Sequence, residues 1–261
     1  MGFAAPFRPD DMRGAIVTLR LLPAIALCLA ALPAAAGDMA TLNILGFSAD
    51  AATFAFEEYG VQDGSGFPYA NRFYVDTASD SFLPGSPVRA RIDDETASVE
   101  DARAEARARG ESIVPDAELA AHPGFAAGFN PPTELSADPF RIVVNPRPVV
   151  PPVDAPLEFR LEEIRFPAAG ACAGVTATSV GFRLVSVGAR AGGVTRVLHE
   201  DTSVPASRGC PTGYRIGGVQ TYFPVRGASA IAVLIAVESF GFEGPDHRWL
   251  AVTRRAGQAP R

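Results

Sequence analysis

Two glycine-rich stretches carry the residues with the most chemical potential in this chain. In the first, Glu57 and Glu58 precede Tyr59-Gly60, and Asp63, Gly64, Ser65 and Gly66 follow; in the second, Glu238 precedes Ser239-Phe240-Gly241, and Glu243, Gly244 and Asp246 follow. Brought together, such carboxylates would suit a hard cation such as Ca2+. The spacing matches no EF-hand or repeat-type calcium loop, however, and Asp, Gly and Glu are also ordinary turn residues. A second chemistry open to Glu57, Glu58, Asp63 and Asp246 is metal- or carboxylate-dependent hydrolysis of an envelope glycan or ester, which needs carboxylates about 5 to 10 Å apart in a cleft. Other catalytic signatures are missing from the sequence. His122, His199 and His247 show no zinc spacing, and His247 beside Asp246 on a strand would face the opposite way. Gly64-Ser65-Gly66 is too short for a nucleophile elbow. The chain has no lysine, which excludes Schiff-base and P-loop chemistry.

The elements that position these loops come as a repeated pattern. Ala55-Phe56-Glu57-Glu58-Tyr59-Gly60 leads through a spacer to Arg72-Phe73-Tyr74-Val75, and Ala236-Val237-Glu238-Ser239-Phe240-Gly241 leads through a shorter one to Arg248-Trp249-Leu250-Ala251. Each copy has the form of a β-hairpin: an apolar strand, a turn rich in Gly, Pro and Asp, and a strand opening on Arg-aromatic. The matched arginines, Arg72 and Arg248, are expected to pair with Glu57 and Glu238 across their own hairpins. The competing role is recognition of an anionic or sugar ligand, with Tyr59, Tyr69, Tyr74 or Trp249 as stacking surface.

Around the hairpins the pattern is mainly β. Phe54 and Phe56 share one face of a half-buried strand. Residues 93–110 change to alanines and charges, which predicts one short helix, about 96–109, with a narrow Val99-Ala102-Ala106 stripe. Residues 111–138 look irregular, because Pro115, Pro123, Pro131 and Pro132 interrupt them. The Pro-rich stretch 145–156 predicts an extended connection between an N-terminal β-rich region, 37–144, and a C-terminal antiparallel region, 157–261. Strands are expected there from Leu157, Ser179, Val194, Tyr214, Ala230 and Arg248, and 230–237 is apolar enough to be a central strand covered on both faces.

Residues 1–36 have the form of an export leader. The apolar run 21–32 is too short to span a bilayer, Pro33 breaks it, and Ala34-Ala35-Ala36 offers a cleavage site, so the mature chain would begin at Gly37. Met12 gives a more conventional leader than Met1 and is the expected start. With the leader and Cys28 removed, Cys172 and Cys210 are the remaining thiols, and in an exported chain they should form a disulfide. The full chain has a net charge of −6. Without a basic run, this argues against nucleic acid as a partner, and no later apolar stretch is long enough to anchor the mature chain in a membrane.

Leu45-Gly46-Phe47-Ser48-Ala49-Asp50, the run from Glu57 to Tyr69 and the closing 241–249 stretch together resemble a family of predicted secreted proteins of Gram-negative bacteria, domain of unknown function 2259. The resemblance implies export to the periplasm and no particular activity. The first motif is also similar to a blade of periplasmic propeller repeats, with Ala51 where a glycine is expected. The expected fold is therefore an antiparallel β-sandwich or irregular propeller-like β-units with the one helix. The expected function is a non-enzymatic envelope module that binds another envelope protein or a small ligand, with no cofactor beyond the Ca2+ option and the hydrolase as the alternative.

Overall fold

The computed structural model describes residues 1–2, 37–188, 193–241 and 244–256. The expected leader segment 3–36 and Glu243 lie outside the described residues. Among the described residues, thirteen strands and two α-helices follow in order. The first group is β1 (Thr41–Phe47), β2 (Thr53–Val61), β3 (Pro68–Asp76), β4 (Ser81–Phe82) and β5 (Val88–Arg91). Helices α1 (Val99–Gly110) and α2 (Asp116–Ala121) come next, then β6 (Phe125–Phe129) and β7 (Arg141–Val144). The remainder is β8 (Leu157–Pro167), β9 (Thr178–Val187), β10 (Arg196–Glu200), β11 (Pro211–Tyr222), β12 (Ala230–Ser239) and β13 (Asp246–Arg255).

The strands form three antiparallel sheets: β1-β2-β3-β4 with β5 also on β3, β13-β12-β11-β6, and β10-β9-β8-β7. Side chains of a strand alternate between faces, and β12 uses both. Ala232, Leu234 and Ala236 pack on Phe54, Phe56 and Phe73 of the first sheet. Val233, Ile235 and Val237 pack on Phe159, Phe182 and Leu184 of the third. The β13-β12-β11-β6 sheet is thus the middle layer, and β12 is the doubly covered strand its composition predicts. The described sheets are layered and do not close into a barrel or propeller.

The helices cover the far face of the first sheet. That face presents small residues, Ala55, Ala70 and Ala90, and the α1 stripe Ala102, Ala106 and Gly110 lies on it. Approach is close: a Cβ on Gly110 would sit 2.1 Å from the Tyr74 hydroxyl. Helix α1 begins later than the composition suggests because Ser98 and Asp101 form a reciprocal capping box, which satisfies otherwise orphaned backbone N–H groups. The 111–138 stretch is more ordered than its prolines imply. Pro115 precedes α2, whose Leu119 is buried, and β6 hides because Phe125 and Phe129 are exposed and break the alternation.

The described residues from Gly37 onward form one compact unit. Strand β6 lies before the Pro-rich stretch 145–156 and pairs with β11 beyond it, and the Thr221 hydroxyl donates to the Pro146 carbonyl at 2.6 Å. The layers therefore run across the boundary expected there.

Candidate functional site

Both repeated motifs form hairpins, β2–β3 and β12–β13, and the two meet through the segment 37–40. Met39 bridges His247 in parallel, with the Ala40 N–H donating to the His247 carbonyl at 3.0 Å and the His247 N–H to the Asp38 carbonyl at 2.8 Å. The buried Asp38 carboxylate accepts from the Tyr69 hydroxyl of one hairpin at 3.0 Å and from the Arg248 guanidinium of the other at 2.6 Å. Burial pushes the Asp38 carboxyl above its ordinary range, against the opposing pull of Arg248 and Tyr69. Gly37 has no room for a side chain, since a Cβ would stand 2.0 Å from the Pro245 carbonyl.

The fold does not bring the described acidic residues singled out in the sequence, Glu57, Glu58, Asp63, Glu238 and Asp246, to one point. Glu57 and Glu58 are neighbours on β2 and so face opposite ways. Glu57 lies buried beneath α1, where Arg103 donates to it at 2.9 and 3.1 Å and the facing Arg72 approaches to 3.9 Å. Arg72 is itself buried and pairs with Asp116 at 2.9 Å. Glu58 faces the middle sheet and accepts from the Trp249 backbone N–H at 2.7 Å and the Asn71 amide at 2.9 Å. Burial raises its carboxyl above the ordinary range. Asp63 lines a shallow groove with Gly37 and Asp38, Asp246 accepts from the Asp38 N–H at 3.0 Å, and the half-exposed Glu238 stands 3.9 Å from His247. Arg248 lies across from Val237, with His247 across from Glu238. The pairing expected between Arg248 and Glu238 is therefore replaced by the Arg248–Asp38 ion pair, because the second hairpin is displaced by one residue relative to the first. Cys172 and Cys210 form the disulfide. Among the described residues, no group of three His, Cys, Asp or Glu is disposed to hold a metal ion.

A second recess lies where the edges of the first and third sheets flank β13. This cleft encloses about 490 Å3. Its floor is β13 from Arg248 to Val252, one wall carries Phe73, Phe82 and Arg89, and the other carries His199 and Arg208. That second wall is held by Asp201, which accepts from the His199 ring at 2.9 Å, Arg208 at 2.6 Å and the Phe182 N–H at 2.9 Å. Burial opposes ionisation of Asp201, but these donors outweigh it and hold the carboxyl at about 2. The His199 ring also stacks on Phe182. No hydrogen bond among the described residues joins His199 to Ser207, the hydroxyl on the same wall. Arg89 makes no side-chain hydrogen bond or ion pair with the described residues. Asp38, Asp201 and Arg208 carry no local sequence signal; only the pairing of distant strands brings them to these positions.

A family model described as "Predicted secreted protein (DUF2259)" matches residues 55–255. No curated protein and no solved structure matches the chain.

Proposed function

Because the chain belongs to that family of predicted secreted proteins, we propose that it is an exported, non-enzymatic binding module of the Gram-negative envelope. In this reading it loses residues 1–36 and works in the periplasm, holding an anionic ligand in the cleft above β13. The observation that carries the proposal is the lining of the cleft: Arg89, which makes no side-chain hydrogen bond or ion pair among the described residues, beside the Asp201-held Arg208 and His199 and the Asp38-held Arg248, with Phe73, Phe82 and Trp249 as apolar surface. A recess of several hundred Å3 with a few polar groups on an apolar ground has the general form of a ligand site. The two carboxylates in the cleft, Glu58 and Asp80, are occupied by backbone N–H groups of β13, which suits a structural role for them better than acid–base work.

The test is thermal unfolding of the mature protein with millimolar glucuronate and inorganic phosphate. A ligand that binds the native state raises the melting temperature. The expected result is a rise with at least one of these anions that Arg89→Ala abolishes. No rise with either anion overturns the reading.

A further inference from the structure

β13 is an edge strand of the middle sheet, and its outward backbone groups face the cleft. In an antiparallel pair every second residue turns its N–H and C=O away from its partner strand. On β13 these residues are identified by what their N–H groups meet: His247 donates to the Asp38 carbonyl at 2.8 Å, Trp249 to the Glu58 carboxylate at 2.7 Å, and Thr253 to the Asp80 carboxylate at 2.6 Å. Ala251 falls between the last two and must point the same way. No hydrogen bond to its N–H or its carbonyl, nor to the Trp249 carbonyl, comes from the described residues, and Ala251 lines the cleft. The edge is thus closed by side-chain carboxylates on either side of one gap, and the gap opens into the cleft.

We propose that this gap is a strand-addition site, and that the ligand of the cleft is an extended acidic polypeptide segment that pairs with β13 at Ala251. The inference rests on the anion-binding reading of the same cleft and names the ligand class. An unpaired sheet edge is a template for another strand, and β-strand addition supplies affinity through the main chain and selectivity through flanking side chains. Between the closed N–H groups of Trp249 and Thr253 the edge runs about 13 Å at the rise of a strand, enough for about three residues of a segment to pair at Ala251 while its ends extend past the carboxylates. Arg208 and Arg248 are engaged by Asp201 and Asp38, and Glu58 and Asp80 by β13, so Arg89, which makes no side-chain ion pair among the described residues, is the group that makes an acidic side chain the complementary one.

The probe is an N-acetylated, C-amidated pentapeptide alternating glutamate with valine, titrated into the mature, disulfide-intact protein beside glucuronate and phosphate. The expected result is that the peptide binds and protects the Ala251 amide from hydrogen exchange. N-methylating alternate peptide bonds of the probe should weaken it about tenfold or more, by loss of main-chain hydrogen bonds. Ala251→Pro removes the outward N–H without removing a ladder bond. It should weaken the peptide to the same degree and leave small-anion binding unchanged, whereas Arg89→Ala should weaken both. Anion binding without peptide binding overturns the inference and leaves the binding reading standing. Equal binding of the methylated peptide, or no change in Ala251 exchange, also overturns the inference. If neither peptide nor anion binds, both readings fall.

Discussion

At the residue scale, the side chains that matter most are those whose partners come from distant strands. Asp201 is the clearest, because its carboxyl is held at about 2 against an ordinary 3.8 by three donors. A depressed carboxyl stabilises the fold above the ordinary value, and that stability is lost as pH falls through the depressed one. The difference corresponds to about 2 kcal/mol. Urea unfolding of the wild type should therefore lose about that much between pH 4 and pH 2 on account of Asp201 alone. Asp201→Asn should be less stable at pH 7, because Arg208 loses its counter-charge, and should show a flatter acid limb; an unchanged acid limb would refute the assignment. The pairing between Glu57 and Arg72 follows from hairpin register, which local pattern reveals. The Arg248–Asp38 pair does not, since a one-residue displacement turns every side chain to the other face.

At the element scale, hairpins are legible because both strands and their turn are contiguous in sequence. The two copies nevertheless do different work. In β2–β3 the arginine is buried beneath α1 with Glu57 and Asp116, whereas in β12–β13 it holds the segment 37–40 against the molecule. The disulfide is the other device at this scale. It fixes the 3-10 turn Gly170–Gly174 beside the start of β11, two residues from Arg208 in the cleft wall. Opening a loop with sequence separation 38 should cost about 4 kcal/mol in chain entropy. Cys172→Ser with Cys210→Ser should lower the denaturant midpoint accordingly and weaken anion binding, as the Arg208 wall loosens. A midpoint within experimental error of the wild type would show that the bridge adds nothing.

At the scale of the whole molecule, the middle sheet joins strands from before and after the Pro-rich stretch, so β6, β11 and β12 cannot separate without breaking both cores. Unfolding should therefore be one cooperative transition. Fluorescence of Trp249, the single tryptophan, and far-UV circular dichroism should give coincident denaturation curves. Two separated transitions would mean that the regions 37–144 and 157–261 fold independently. Strand content, the doubly apolar β12 and the Cys172–Cys210 bond were legible in the sequence because they depend on local alternation, composition and the count of available thiols, and the family was legible through its motifs, which are contiguous runs of sequence. The dispersal of the acidic residues, the replacement of Glu238 by Asp38 as the partner of Arg248, and the cleft with its uncapped Ala251 were decided only by the tertiary structure. They depend on which strand edges come to lie together, and the energy that aligns those edges comes from buried side chains far from the groups they position.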